Sequence, residues 1–365
     1  MRVFVRGKAE GSKDGGGAGV AKVMNVRSGH SLTIGVDIGG TKVAAAVVTP
    51  GGRVLARLRT RTPDRSRSPS VVEDTIVSVV SELRREYKVR AVGVGAAGFV
   101  DERRSRVLFA PHLSWRQEPL RDALSVRLGL PVVVENDANA SAWAEVRMGV
   151  ARGVDDVVVV NLGTGIGGAI VSDGVLRRGR HGLAGEFGHM TVVPGGHRCE
   201  CGDRGCWEQY ASGNALTRQA RELVVAGPPM AETLRQAVGD DPELITGPLV
   251  SELARKGDRA CRELMEETGS WLGAGLANLA AAFDPELFVI GGGVSESGEL
   301  LLDSARGAFG KGLTGRGHRP EARVVAAALG NDAGMIGAAD LAREALPRGG
   351  RRRRQRRPGA LPKRR

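Results

Sequence analysis

Aromatic residues and cysteines are scarce in this sequence. Aromatics make up 4% of the 365 residues, and there are four cysteines. So few cysteines in so long a chain argue against a disulfide framework of the kind that holds small secreted domains together. No apolar run reaches the ~20 residues needed to span a bilayer, and no apolar block of the secretory type stands near the N-terminus. We therefore expect a cytoplasmic protein with reduced thiols and no membrane partner.

Small and aliphatic residues dominate instead. There are 54 glycines, and Ala, Val and Leu supply most of the apolar side chains. The length allows about two domains at roughly 150 residues each, which is enough for well-buried cores. This composition is typical of an α/β protein with many glycine turns.

The positive charge is concentrated at the two ends. The net charge is +12, but residues 348–365 hold ten Lys and Arg without an acid, and residues 1–32 hold six with two acids. Residues 33–347 therefore carry a net charge of −2, so nothing in them demands a nucleic-acid partner. We expect residues 1–32 to be a disordered extension and residues 347–365 a disordered basic tail. The tail either touches polyanions or is merely solvated, and we favour the second. Translation from Met24 is a hypothesis that N-terminal sequencing would test.

Three of the four cysteines cluster in the middle of the chain. Cys199, Cys201 and Cys206 fall within eight residues, with His189 ten residues before the first of them and His197 closer still. Thiolates and imidazoles are the ligands of closed, four-coordinate zinc sites. We predict a structural zinc held by the cysteines and one histidine, and the spacing alone leaves His189 and His197 as competitors. The alternatives are buried apolar thiols or a disulfide.

Two glycine-rich turns, each between two apolar strands, indicate phosphate binding. The first joins predicted strands at 33–36 and 43–48, and the second joins strands at 155–161 and 170–171. Glycines let backbone N–H groups approach an anion closely, and Asp37 is placed to hold Mg²⁺ through water. A strand follows each turn, whereas a dinucleotide-binding fingerprint requires a helix, so a Rossmann oxidoreductase is disfavoured. Either turn alone could be an ordinary hairpin, but one in each half favours an actin-like ATPase fold.

A polar cluster follows a predicted strand at 131–134. Asn136, Asp137 and Asn139 lie where that strand meets a helix that runs to about Met148. Ligands of open α/β sheets gather beyond the carboxyl ends of strands, and a carboxylate there can take a proton from a hydroxyl during phosphoryl transfer. Helix capping is the simpler explanation, but three polar residues exceed what one cap needs.

These motifs, in their order, resemble the ROK family of sugar kinases and repressors. The resemblance rests on the following segments: Glu186-x-Gly-His189, Cys199-x-Cys201-Gly-x-x-Gly-Cys206-x-Glu208, Glu135-Asn-Asp-Ala-Asn139, Gly95-Ala-Ala-Gly98, both hairpins, and the three glycines 291–293. Stretches at 115–120 and 206–213 are similar to the actinobacterial glucokinases of that family. One departure is Ala169, where the family often has glycine, and we expect its methyl group to be tolerated.

The resemblance implies a role for each residue of these motifs. It makes Asp137 the catalytic base, and it gives the substrate-binding residues as Gly98, Asn136, Asp137, Glu186, His189 and Glu208. The implied residues for ATP and Mg²⁺ are Asp37, Gly39, Gly40, Thr41, Lys42, Gly163, Thr164, Gly165, Gly291, Gly292 and Gly293. It also favours His189 over His197 as the fourth ligand of the structural Zn²⁺, beside Cys199, Cys201 and Cys206.

The implied fold is α/β, an actin-like ATPase (ribonuclease H-like) fold of two domains with the ligand cleft between them. We expect a smaller domain from residues 33–141 and 332–346, and a larger one from residues 142–331 that carries the zinc segment. The implied activity is phosphoryl transfer from ATP to the 6-hydroxyl of D-glucose by a homodimer or homotetramer.

Other functions stay open. The chain could phosphorylate another hexose, such as mannose, fructose or N-acetylmannosamine, or use polyphosphate as the donor. It could also be a non-enzymatic sugar sensor, as ROK repressors are. No helix-turn-helix pattern precedes residue 33, and Asp137 is intact, so we expect an enzyme.

Overall fold

The computed structural model describes residues 3–6, 32–239 and 241–347, apart from the side chains of residues 3–6 and of Glu296. Residues 1–2, 7–31 and 348–365 lie outside the described residues, and so do the expectations for Met24 and the basic tail. The strands are β1 (Val3–Arg6), β2 (Leu32–Ile38), β3 (Lys42–Val48), β4 (Val54–Arg61), β5 (Val89–Ala96), β6 (Phe99–Val100), β7 (Val107–Phe109), β8 (Arg116–Glu118), β9 (Val132–Asn136), β10 (Val157–Leu162), β11 (Ile166–Ser172), β12 (Val175–Arg177), β13 (Leu287–Gly291) and β14 (Arg323–Ala326). The α-helices are α1 (Pro69–Arg84), α2 (Leu120–Leu128), α3 (Asp137–Met148), α4 (Glu208–Ala211), α5 (Gly213–Ala226), α6 (Glu232–Ala237), α7 (Gly247–Arg255), α8 (Arg259–Phe283), α9 (Glu299–Gly312) and α10 (Ala333–Glu344).

The same sheet topology occurs in both halves of the described chain. The first sheet has the order β1-β4-β3-β2-β5-β9, and the second has β12-β11-β10-β13-β14. If β1 is left out and the strands of each sheet are numbered along the chain, both sheets have the order third, second, first, fourth, fifth. The first three strands form antiparallel hairpins, and the fourth and fifth add parallel to the first. The glycine-rich turns therefore occupy equivalent places, between the first and second strands of each sheet.

The expectation that all of residues 1–32 are unstructured is wrong for β1. Val3–Arg6 pairs antiparallel with β4, Val3 opposite Arg59 and Arg6 opposite Ala56. Alternating Val-Phe-Val is a good strand sequence, and β4 would otherwise be an edge with unpaired N–H and C=O groups. Leu32, also assigned to the extension, begins β2.

Helices α3 and α10 lie between the two sheets and carry the contacts that join them. Helix α10 packs on β2 and β5, and α3 packs on α10, β10 and β11. The contacts are close because glycines face backbone: a Cβ on Gly337 would lie 1.7 Å from the Ala140 carbonyl oxygen. Gly35 similarly faces the backbone of Met335 on α10. The expected domain boundary at residue 141 falls inside α3, which both halves share.

Each half has its own buried core. Val, Ile and Leu side chains of the first sheet pack against α1 and α2, and those of the second sheet pack against α5, α7, α8 and α9. The longest described helix is α8, with 25 residues. Among the helices within the described ranges, none combines the length and apolarity that a bilayer crossing demands.

Candidate active site

Four of the predicted motifs lie at the carboxyl ends of strands β2, β9, β10 and β13. The first glycine turn follows β2, Asp137 follows β9, and the second turn follows β10. Of the three glycines 291–293, Gly291 ends β13 and the other two follow it. In open α/β sheets this edge is where ligands bind. The two sheets thus present their binding edges to one region, which α3 and α10 line.

Asn136 caps a helix and also orients the carboxylate beside it. Its side-chain oxygen accepts the Asn139 N–H at 3.0 Å, the usual N-cap bond. Its Nδ2 donates to the Gly98 carbonyl at 3.1 Å and to Asp137 Oδ1 at 3.2 Å. Asn136 therefore does cap helix α3, as the simpler explanation of this cluster holds. Its Nδ2 also holds the Gly98 carbonyl and the Asp137 carboxylate, which are both candidates for the sugar site. Asn139 does not join them, because its side chain is buried and donates to Glu135 at 3.1 Å.

Asp137 is an unusually basic carboxylate. Burial, and then the nearby carboxylate of Asp37, raise its pKa to about 7, although a hydrogen bond from the Ala138 N–H opposes the rise. Glu186 adds a smaller repulsion. The three acids come from β2, the start of α3 and the loop before residue 187, so the fold brings together side chains distant in sequence. A carboxylate that titrates near neutrality suits a general base.

The first glycine turn is compact. The Gly39 N–H donates to the Lys42 carbonyl at 3.0 Å, and the hydroxyl of Thr62 donates to the Gly39 carbonyl at 2.7 Å. Gly40 is exposed and lies against His112. Thr41 accepts the Thr62 N–H through its carbonyl. This leaves the exposed tip of the turn available to a phosphate.

Asp37, at the end of β2, is surrounded by charges of both signs. Burial raises its pKa, and the positive charges of Lys42 and Arg59 act against that rise. The start of α10 approaches its carboxylate, since a Cβ on Gly334 would lie 3.1 Å from Asp37 Cγ. A buried carboxylate whose ionised form is poorly compensated is a fitting partner for a divalent cation.

The second glycine turn rests on the start of α5. The Gly163 N–H donates to the Gly165 carbonyl at 3.0 Å, and the Gly163 and Thr164 carbonyls accept from the Gly213 and Asn214 N–H groups. Ala169, the departure from the family pattern, is fully buried in β11 opposite Val159, where its methyl group is accommodated.

Gly291, Gly292 and Gly293 lie beside this second turn. Gly291 pairs with Asn161 in the parallel ladder, and a Cβ on it would lie 2.4 Å from the Asn161 side-chain oxygen. Gly292 has a φ of +85°, and its carbonyl accepts from the Ser295 hydroxyl at 2.6 Å. The Asn161 side chain beside Gly291 and the positive φ of Gly292 explain why glycine stands at these two positions.

Glu186, His189 and Glu208 form the remaining polar group. A short 3₁₀ turn, Phe187–His189, follows Glu186, and Glu208 begins α4. Glu208 accepts the Ile166 N–H at 3.4 Å and lies 3.7 Å from His189 Nδ1. Burial raises the pKa of Glu186; the charge of His189 opposes this and that of Glu208 adds to it.

The three cysteines and His189 form one group. Their sulfur and ring nitrogen atoms all lie within 4.8 Å of one another, with 3.6 Å between Cys201 Sγ and Cys206 Sγ and 3.7 Å between Cys199 Sγ and His189 Nδ1. His197 is not in this group; its ring packs on Tyr210, with 5.3 Å between centroids. The geometry therefore selects His189 over His197.

Sequence reasoning missed an ion pair next to the site. Glu135, 2% exposed, accepts a hydrogen bond from Arg178 Nε and forms an ion pair with its guanidinium. The one available signal was an acid at the end of an otherwise apolar strand, where a buried charge requires a partner. Arg178 carried no signal, because nothing in its local sequence relates it to a residue 43 positions earlier.

Comparison with known proteins places these features in a family. The pattern of the ROK family matches residues 33–345. The chain is 50% identical to a glucokinase of Streptomyces coelicolor over 317 residues, 87% of this chain and 99% of that protein. It is 34% identical to a glucokinase of Thermotoga maritima over 86% of this chain and 98% of that one.

A solved structure of the same family is also similar to this chain. It is a ROK family glucokinase from Streptomyces griseus in complex with glucose and AMPPNP, 51% identical, with a TM-score of 0.80 over 86% of this chain and all of that one. The expected actin-like ATPase fold of two domains is confirmed by this similarity and by the duplicated sheet topology.

Proposed function

The chain belongs to the ROK family, and we propose that it is a glucokinase, which transfers the γ-phosphoryl group of ATP to the 6-hydroxyl of D-glucose. The products are glucose 6-phosphate and ADP. The observation that carries this proposal is the environment of Asp137. Its carboxylate is buried, accepts a hydrogen bond from Asn136, is repelled by the charge of Glu186, and has a pKa raised to about 7. The Streptomyces griseus relative that binds glucose and AMPPNP supports the same substrates.

Asp137 acts as the general base. It takes the proton of the 6-hydroxyl as that oxygen attacks the γ-phosphorus, and the bond to the β-phosphate oxygen breaks. The hydrogen bond from Asn136 Nδ2 leaves one carboxylate oxygen of Asp137 oriented and the other free for the substrate hydroxyl. Catalysis is then mostly positioning, with the sugar hydroxyls held by Asn136, Glu186, His189 and Glu208.

The two glycine turns and the glycines 291–293 bind ATP. Backbone N–H groups at the turns and the hydroxyls of Thr41 and Thr164 are the donors for its phosphates. Asp37 would hold Mg²⁺, which when bound neutralises the phosphate charge that develops during transfer. The poorly compensated burial of the Asp37 carboxylate fits this role.

The cysteine and histidine group would hold a structural Zn²⁺. Sulfur ligands lie about 2.3 Å and imidazole nitrogens about 2.0–2.1 Å from a tetrahedral zinc, so its ligand atoms are roughly 3.5–3.8 Å apart; two of the observed distances are 3.6 Å and 3.7 Å, and all lie within 4.8 Å. All four positions are protein side chains, so no open position remains for catalysis. Such an ion would instead fix the ring of His189, which lies 3.7 Å from the carboxylate of Glu208, a second proposed sugar ligand.

A coupled assay tests the proposal. The purified protein is given ATP and Mg²⁺ with glucose, mannose, fructose or N-acetylmannosamine, and ADP release is followed. We expect strong preference for glucose; preference for another hexose keeps the mechanism and changes the substrate. Polyphosphate in place of ATP tests the donor, and light scattering tests the expected homodimer or homotetramer.

A further inference from the structure

Glu135 and Arg178 join the edges of the two sheets. Glu135 lies in β9, the edge strand of the first sheet, and Arg178 directly follows β12, the edge strand of the second. Glu135 comes immediately before Asn136 and Asp137. Arg178 begins the segment that leads to Glu186. The pair thus connects the catalytic base to the sugar-binding loop across the junction of the halves.

The pair is well formed and buried. Arg178 Nε donates to Glu135 Oε2 at 2.8 Å, and Arg178 Nη2 lies 2.7 Å from the same oxygen in the ion pair. Glu135 Oε1 accepts from Asn139 Nδ2 at 3.1 Å. The side chains are 3% exposed for Glu135 and 22% exposed for Arg178. Both carboxylate oxygens of Glu135 therefore accept a hydrogen bond, one from a side chain of the second half and the other from a side chain of the first half.

The surrounding segments hold the loop of Arg178 against the first half. The Arg178 carbonyl accepts the Ala184 N–H at 3.0 Å, which closes the loop. Gly182, with a φ of +85°, lies so close to the first half that a Cβ would be 2.2 Å from the Val100 carbonyl oxygen. Gly185 packs equally closely on Gly168 of β11. The segment that leads to Glu186 is therefore held against the first half at Gly182 and against β11 at Gly185.

We propose that the Glu135–Arg178 pair is a positioning link that sets the distance between the Asp137 carboxylate and the sugar-binding loop of Glu186 and His189. This inference rests on the proposed glucokinase function. Neither residue touches the reacting atoms; each acts through its neighbours in sequence. No element that binds the nucleotide takes part in the pair.

Loss of Arg178 would disturb the sugar side of the site specifically. Glu135 would become a buried charge left with Asn139 and the positive charge of Arg104, which interacts with both members of the pair. A carboxylate in that state moves towards water, and Asn136 and Asp137 move with it. The second glycine turn and the glycines 291–293 lie on β10 and β13, away from the pair.

The test compares Arg178→Met with Arg177→Ala. Arg177 is the preceding residue, and its pair with Asp173 at 2.9 Å is exposed, so it serves as the matched control. We expect Arg178→Met to raise KM for glucose at least 10-fold and to lower kcat, with KM for ATP within 2-fold and the zinc content unchanged. Arg178→Lys should recover part of the loss, and Arg177→Ala should behave as wild type.

Glu135→Gln is the second variant, and it tests the positioning link if Arg178→Met does not fold. It keeps an oxygen for Asn139 and removes the charge, and we expect the same rise in KM for glucose. Unchanged kinetics with a lowered melting temperature in either variant, or equal rises in KM for glucose and ATP, would overturn the link and leave a purely structural pair. A wild-type protein without glucose phosphorylation or calorimetric glucose binding would instead refute the proposed function itself.

Discussion

Asp137 is the residue on which the mechanism depends. Replacement by Asn keeps its shape and hydrogen bonding to Asn136 and removes its basicity. We expect Asp137→Asn to lower kcat by about 10²-fold or more, as loss of a general base does, while calorimetric glucose binding survives. The exposed Asp122→Asn on α2 is the control. Turnover close to wild type would remove Asp137 from the role of base.

The raised pKa of Asp137 predicts a pH profile. Its carboxylate is the active form and has a pKa of about 7, so kcat/KM should rise between about pH 6 and 8 and then level off. The same profile measured with Asp137→Asn should lack this rise. An ionisation below pH 5 in the wild type would contradict the burial and the repulsion from Asp37 that raise the pKa.

The Asp137 carboxylate should also make protein stability depend on pH: the free energy of unfolding should fall with rising pH, whereas activity rises. Between the unfolded pKa of 3.8 and the folded pKa of about 7, the native state holds a proton that the unfolded state has lost, so stability falls as pH rises through this window. Asp137→Asn should therefore melt a few degrees higher than wild type at pH 8 and at nearly the same temperature at pH 4.5. Equal differences at both pH values would contradict the linkage.

At the scale of elements, we propose that the zinc segment supports the loop that holds the sugar. Cys201→Ser should release zinc, measured by elemental analysis, and raise KM for glucose about 10-fold or more, because His189 and Glu208 both contact the ligand group. KM for ATP should change little. Cys261→Ala, in α8 outside the group, should retain zinc and activity. A zinc-free variant with normal glucose affinity would contradict the supporting role.

The packing of α10 makes a second prediction at this scale. Gly337→Ala would place a Cβ 1.7 Å from the Ala140 carbonyl oxygen, and backbone cannot yield cheaply, so we expect about 3 kcal/mol or more of destabilisation in denaturant unfolding. Gly307→Ala in α9 meets nothing within 4 Å and should be neutral or stabilising by up to about 1 kcal/mol. Similar effects of the two substitutions would mean that α10 is not held so closely.

Elements with a strong period could be predicted from the sequence, and short ones could not. The strands on either side of each glycine turn, strand β9 and helix α3 lie where the patterns place them, within a few residues. Strands β6, β7 and β8 are two or three residues long, too short to display alternation. These three strands form a small sheet of their own, and β8 contains Gln117 with a φ of +53°. No local sequence pattern predicts that backbone conformation.

At the scale of the whole molecule, the site comes from contacts between the halves. The family motifs gave the residues, but only the folded chain joins Asp37, Asp137 and Glu186 into one electrostatic group. The same holds for Glu135 and Arg178, whose separation along the chain leaves no periodic trace. Spacing alone left His189 and His197 open and the family resemblance favoured His189; the structure places His189 beside the three cysteines.

The measurement that tests the central claim most directly is product identification in a competition. Wild-type protein is given ATP, Mg²⁺ and an equimolar mixture of glucose, mannose, fructose and N-acetylmannosamine, and phosphorus NMR follows the phosphate esters. We predict glucose 6-phosphate as the dominant product, formed in step with ADP, and its loss in Asp137→Asn. A different sugar phosphate as the main product, or no ester from folded protein with zinc bound, would contradict the account.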